Sequence, residues 1–326
     1  MGNTGMVKDP SDLDIAVVGV GGWGKNHARV LMDLGVLAAI CDANAERAKE
    51  FAVKYNTCYY TSLDDMLREK ILHGCIICTP TRTHFDVAKK IMEHGVNVFV
   101  EKPLAFSSAE CEEMINISVD RKVLLTSGYI ERFNPVVQDV KRIIKNKTYG
   151  DLLMLEFHRE NRMPMHIKDV GIIYDTSVHD IDTAMFLFNS RPNVVFARAG
   201  AKFHSYEDFA TLMLGFEDHK AAIIASNWIT PKKVRTFNAV CTEGIISGDF
   251  ITQEIHIDEA ERTITPRRTG ALLEPLTLEL KSFIGVLRGN ADESLISATD
   301  ATNVTKVAES AILSSKTGSP IYLELK

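Results

Sequence analysis

No apolar stretch in this 326-residue chain approaches the length of a membrane span, and residues 1–14 are polar rather than shaped like a secretory leader. The expectation is a chain that neither crosses nor binds membranes, with the cytoplasm as its default setting. A surplus of positive charge is also missing, since 37 Lys and Arg face 43 Asp and Glu for a net charge of −6. A nucleic-acid footprint is therefore not expected, although small clusters such as Lys232-Lys233 with Arg235 can meet an anionic ligand. Cysteine is sparse and scattered, at 41, 58, 75, 78, 111 and 241, and no second pair answers Cys75-Ile76-Ile77-Cys78. Neither a zinc ribbon nor a disulfide framework is indicated, and the thiols read as buried filler in a reducing compartment. Repeats and low-complexity tracts are absent as well. What remains, 45% hydrophobic and 25% charged, suits one or two domains with substantial cores.

The most informative segment present is Gly19-Val20-Gly21-Gly22-Trp23-Gly24, directly behind the apolar run Ile15 to Val18 and ahead of a helical pattern. Strand, tight turn and helix in that order make a dinucleotide site: Gly19 turns the chain, Gly21 lets backbone approach a pyrophosphate, and Gly24 allows close helix–strand packing. The helix N-terminus then meets the phosphate charge. The next strand, Leu37 to Cys41, ends in Asp42, where a carboxylate accepts from both ribose hydroxyls and repels a 2′-phosphate. NAD is expected over NADP. The alternative for Asp42 is a helix cap, but Asn44 can fill that role itself.

Helical and strand periods alternate through the first 127 residues, predicting a doubly wound parallel sheet of about six strands. From Asp151 alternating or apolar runs follow one another with short turns, which reads as a large, mostly antiparallel open sheet. Helices over Ser177 to Phe188, Thr277 to Arg288 and Thr299 to Lys316 interrupt and close it. The fold class is thus α/β, with a Rossmann domain at 1–127 and a substrate-binding and oligomerisation α+β domain at 128–326.

Ligands of doubly wound folds bind in the crevice at the strands' carboxyl ends, and three motifs fall there. One is Thr79-Pro80-Thr81, bordering the nicotinamide half of a cofactor or, alternatively, a plain turn with Thr81 or Thr83 as helix cap. Glu101-Lys102-Pro103 is the second, whose lysine can stabilise charge on a substrate oxygen as a hydride departs; the alternative is a solvated lysine. The third runs from Tyr174 to Asp182 and sets Asp175 and His179 four apart, sharing one face of a helix. His179 can take a proton near neutral pH and Asp175 can orient it or the sugar, although a cap role for Asp175 is also open. A metal at His179 with Asp180 and Asp182 is disfavoured, because these residues do not share a face, and no metal is expected.

Together the glycine turn, Asp42, Thr79-Pro80, Glu101-Lys102-Pro103 and the Asp175 to His179 pair resemble the Gfo/Idh/MocA oxidoreductase family over nearly the whole chain. The resemblance implies catalytic roles for Lys102, Asp175 and His179. It implies cofactor contacts from Gly19, Gly21, Gly22, Trp23, Gly24, Asp42, Arg47, Thr79, Pro80, Thr81, His84, Glu101, Lys102 and Pro103, and a Lys102–Pro103 bond that is often cis. Gly128 to Pro135 is similar to a segment of UDP-N-acetylglucosamine 3-dehydrogenases and related nucleotide-sugar oxidases. There Arg132 and Asn134 could reach a ligand or, alternatively, cap the next helix. Arg159, Arg162 and Lys168 supply cations for a UDP pyrophosphate, with a solvated loop as the plainer reading. The expected activity is NAD-dependent oxidation of a sugar ring hydroxyl, foremost C3 of UDP-N-acetylglucosamine. An inositol or other polyol, or a ligand sensor without turnover, is the alternative. A homodimer or homotetramer through the second sheet is implied too.

Overall fold

The computed structural model describes residues 13–163, 170–264 and 272–325. Strands β1 (Ile15–Val18), β2 (Leu37–Cys41), β3 (Cys58–Tyr60), β4 (Gly74–Ile77), β5 (Asn97–Glu101) and β6 (Leu125–Gly128) alternate with helices α1 (Gly24–Asp33), α2 (Ala45–Tyr55), α3 (Leu63–Glu69), α4 (His84–Glu93) and α5 (Ser108–Arg121). The six strands are parallel in the order β3-β2-β1-β4-β5-β6. The order reverses between β1 and β4, so the crevice opens beyond their carboxyl ends.

Alternation along each strand divides the core. Ile15, Val17, Ile40, Ile76 and Phe99 pack on one face of the sheet, and Ala16, Val18, Ala39, Cys75, Ile77 and Val98 on the other. Cys75 and Cys78 accordingly fall on opposite sides. Local signals set the helix starts: Asn44 Oδ1 accepts from the Arg47 N–H at 2.9 Å to cap α2, and Ser107 with Glu110 forms a capping box on α5.

The second half contains α6 (Pro135–Lys145), β7 (Leu152–Glu160), α7 (Val178–Phe188), β8 (Val194–Gly200), β9 (Phe209–Gly215), β10 (Ala221–Asn227), β11 (Val234–Cys241), β12 (Gly244–Asp249), β13 (Ile255–Asp258), β14 (Thr263–Ile264), α8 (Pro275–Leu287), α9 (Ala298–Thr317) and β15 (Ile321–Tyr322). Its strands form one nine-stranded sheet, β14-β13-β12-β11-β7-β10-β9-β8-β15. All its pairings are antiparallel except β7 with β10. Short strands β12 to β14 extend it past those expected from the sequence. Helices α6, α7 and α9 pack on one face. On the other, Met213 and Ile223 are cross-strand partners, and with Ile245 they remain substantially exposed. No helix among the described residues is long and apolar enough to cross a membrane.

Helix α8 returns to the first sheet, where Leu276, Leu280, Phe283 and Ile284 join α1 in covering the Ile15–Phe99 face. It also carries Glu279, which is 1% exposed and has neither carboxylate oxygen hydrogen-bonded. Burial, reinforced by the nearby acids Glu101, Asp182 and Glu131, raises its pKa well above the ordinary carboxylate value, which favours the neutral acid. An acid whose folded pKa is raised contributes stability that is present below its unfolded pKa and lost as pH rises towards the folded one. Glu279→Gln is therefore expected to raise Tm at about pH 8, with a gain that shrinks on acidification and vanishes below about pH 4. Thermal melts across that range measure it, and a pH-independent effect would contradict the burial of a neutral acid.

Candidate active site

Two glycines set the turn after β1. Gly19 has φ +86°, and a Cβ on it would lie 2.9 Å from the Cys78 carbonyl group. A Cβ on Gly24 would lie 1.7 Å from the Gly19 oxygen, so α1 can start this close to the strand only with glycine there. Gly21 and Gly22 border the cleft, and Trp23 stands partly exposed beside them. Asp42 lies at the end of β2, where Oδ2 accepts from the Val20 N–H and Oδ1 from the Asn44 N–H, each at 2.8 Å. Arg47 donates to the same carboxylate through Nε at 3.1 Å and Nη2 at 3.0 Å. Because Asn44 caps α2, Asp42 is left facing a cleft of about 840 Å³ that Gly21, Thr79 and Lys102 also line. A cradle without side chains followed by a fixed carboxylate fits the pyrophosphate and ribose of a dinucleotide.

The far end of the cleft is held by cross-links between loops. The Thr83 hydroxyl lies 2.7 Å from the Pro80 carbonyl and 2.9 Å from the Thr79 hydroxyl, shaping the turn through Thr81. His84 sits between two main-chain oxygens, Nε2 at 2.9 Å from Thr79 and Nδ1 at 2.9 Å from Pro103, and so ties the β4 loop to the β5 loop. The Lys102–Pro103 bond is cis. Glu101 Oε1 lies 2.5 Å from His27 Nε2. Burial raises the Glu101 pKa, but the bond and charge of His27, with Lys102, outweigh it and hold the carboxyl below its ordinary value. Cys78 completes a His27–Cys78–Glu101 trio of metal-ligating types, yet the direct contact leaves no room for an ion between His27 and Glu101.

Lys102 reaches across to the second half of the chain, donating from Nζ to the Asp175 carbonyl and, at 3.0 Å, to Asp175 Oδ1. Residues Ile173–Ser177 form a π-turn ahead of α7, not the α-helical start that the four-residue spacing predicts. The cap role for Asp175 is not realised, since α7 begins at Val178 and its N-cap residue, Ser177, makes no side-chain cap bond. His179 follows one turn on, part-buried, with Nδ1 sealed and unpartnered. Burial, then the positive charges of Lys102, Arg159 and Arg235, hold its pKa well below the ordinary histidine value. The ring is neutral at physiological pH and able to accept a proton.

Three expected ligand contacts fall elsewhere. Asn134 is 2% exposed and caps α6 through the Val136 N–H, while its amide donates to Glu131 and to the Phe250 carbonyl. Arg132 lies buried against Asp182, with Nε at 2.9 Å and Nη2 at 2.7 Å. Arg159 holds Asp180 through Nε and Nη2, at 3.0 and 2.8 Å, and Glu131 through Nη1 at 2.9 Å. These guanidiniums are already engaged by buried acids, which explains why they do not stand open as cations in the cleft. The same pairings remove Asp180 and Asp182 as metal ligands. Arg162 is exposed just beyond β7. Lys168 lies outside the described residues. The sequence reading did not single out Tyr174 and Val170, which line the cleft, or Arg235, whose only sign was its place in a small basic cluster.

Comparison with known proteins places this geometry. A family model described as "Oxidoreductase family, NAD-binding Rossmann fold" matches residues 13–129, and one described as "GFO/IDH/MocA C-terminal domain" matches residues 137–247. The chain is 30% identical over 279 residues to a UDP-N-acetylglucosamine 3-dehydrogenase of Acidithiobacillus ferrooxidans, covering 83% of this chain and 87% of that one. It is 28% identical over 331 residues to a scyllo-inositol 2-dehydrogenase (NAD(+)) of Bacillus subtilis, covering 95% and 96%. A solved structure of the Acidithiobacillus ferrooxidans enzyme superposes with a TM-score of 0.85 at 25% identity, covering 94% of this chain and 98% of that one. Asp42→Ala is expected to weaken NAD roughly tenfold or more and, by releasing Arg47 to meet a 2′-phosphate, to admit NADP. Fluorescence titration with both cofactors measures this, and an unchanged preference would sink the ribose assignment.

Proposed function

Because this chain belongs to the Gfo/Idh/MocA oxidoreductase family, we propose that it oxidises a ring hydroxyl of a sugar to a ketone, with C3 of UDP-N-acetylglucosamine the best-supported position. The observation that carries the reading is the meeting of Lys102 from the first sheet with Asp175 and His179 from the second beside the dinucleotide cleft. NAD, when bound, supplies the hydride acceptor. His179, kept neutral, removes the hydroxyl proton. Lys102 places its ammonium where charge develops on that oxygen, and Asp175 fixes the ammonium through both its carboxylate and its main-chain carbonyl. Gly19, Gly21, Gly22, Trp23, Gly24, Asp42 and Arg47 would hold the adenosine and pyrophosphate half, and Thr79, Pro80, Thr81, His84, Glu101 and Pro103 the nicotinamide half.

An inositol or related polyol is the second reading, favoured by the similarity to an inositol dehydrogenase along almost the whole chain. A reducing, cytoplasmic setting is proposed with either, in keeping with the scattered spacing of the six cysteines. The exposed apolar face of the nine-stranded sheet supports a homodimer or homotetramer assembled through it.

Purified protein with NAD and a panel of UDP-sugars, free sugars and inositols, read at the reduced-nicotinamide absorbance band, tests the substrate. Signal with inositols alone would discard the nucleotide-sugar reading, and silence despite NAD binding would favour a sensor. His179→Ala and Lys102→Ala are each expected to lower kcat by about 10²–10⁴-fold with NAD affinity retained. Because the pKa of His179 is depressed, the acid limb of the pH profile is expected to fall below the usual histidine value of about 6.5, and a limb above it would contradict a pre-neutralised base. Ile223→Glu on the sheet's open face is expected to yield monomers by light scattering; an unaltered mass would move the interface elsewhere.

A further inference from the structure

Asp180 and Glu131 bind Arg159, yet two further cations crowd the same place. Arg235 on β11 is the direct cross-strand partner of Arg159 on β7, so both side chains leave the same face of the sheet, the one covered by α7. Its Nη1 is 3.8 Å from Glu131 Oε1, an oxygen that Arg159 already occupies at 2.9 Å, and the other Glu131 oxygen accepts from Asn134. Arg235 Nε is buried with no hydrogen-bond partner. Lys233, two residues earlier, is exposed and close enough for the Arg235 charge to depress its pKa. Arg159, Arg235 and Lys233 thus share two acids, and one positive charge is left over. The excess lies on the reacting side of the protein, because Arg235 stands opposite Arg159, which grips Asp180, the residue after His179 on α7.

Resting on the nucleotide-sugar reading above, we infer that Arg235 and Lys233 form the subsite for the anionic group of the substrate, the diphosphate of a nucleoside-diphosphate sugar. The Arg235 side chain keeps 35% of its surface exposed while its Nε is sealed, so the outer guanidinium nitrogens are the ones that can meet phosphate oxygens. Two cations two residues apart at the start of β11 can engage two phosphates, whereas one guanidinium satisfies one carboxylate, which favours a diphosphate over a lone carboxylate. Arg159, already held bidentately, backs Arg235 electrostatically without touching the ligand.

Calorimetric titration of the NAD-loaded protein with UDP, UDP-N-acetylglucosamine, N-acetylglucosamine and glucuronate tests the assignment, using wild type, Arg235→Gln, Arg235→Lys and Lys233→Gln. Arg235→Gln is expected to weaken both UDP ligands ten- to hundredfold. Lys233→Gln should weaken them two- to fivefold and Arg235→Lys should recover part of the loss, while the Kd for NAD stays unchanged as the check on folding. UDP affinity that survives Arg235→Gln would overturn the subsite while leaving the nucleotide-sugar reading intact. No UDP affinity in wild type would overturn both. Glucuronate binding that depends on Arg235, without UDP binding, would overturn the diphosphate and reassign the site to a sugar acid.

Discussion

Two buried ion pairs within one turn of a helix hold the site together. Asp180 and Asp182 are both fully buried on α7, the first gripped by Arg159 from β7 and the second by Arg132 from the segment after β6. Residues two apart on a helix point roughly 200° away from each other, so the two arginines clamp α7 from different sides. His179 occupies the arc between them. Loss of either arginine would strand a buried carboxylate, at a cost of roughly 3–5 kcal/mol, which makes the position of the histidine a consequence of charge burial rather than of local helix propensity. The Lys102–Asp175 pair then joins this clamped helix to the end of β5.

The same pairing explains the electrostatics. Burial and then the nearby cations disfavour protonation of His179, and the first two of those cations, Lys102 and Arg159, are held in place by acids of their own. A base is thereby kept neutral inside a region rich in charge. Cations that have acids of their own shape the protein, and the one left incompletely matched is available to a ligand.

Much of the architecture was legible from the chain because its signals are local. The glycine turn, the Asn44 cap, the Ser107–Glu110 box and the apolar run of Ile15 to Val18 each depend on residues a few positions apart. The roles of Arg132 and Arg159 were not legible, since their partners lie 50 and 21 residues away and a basic residue in sequence carries no mark of whether an acid awaits it. Asn134 turned out to obey the local rule for a helix cap. The four-residue spacing of Asp175 and His179 could not reveal the wider π-turn that carries Asp175. Glu279 gave no signal at all, because its burial arises only when α8 folds back across the first sheet.

That return of α8 has a consequence for biosynthesis. A ribosome that has released β1 through β6 has made a sheet whose Ile15–Phe99 face still lacks Leu276, Leu280 and Phe283, and these emerge only after nearly all of the second sheet. Until then apolar surface stays open on the nascent chain, in the kind of state that recruits chaperones or aggregates. The N-terminal half therefore waits for the C-terminal one, and a chain truncated ahead of α8 would keep its glycine turn while losing part of the roof over the sheet beneath it.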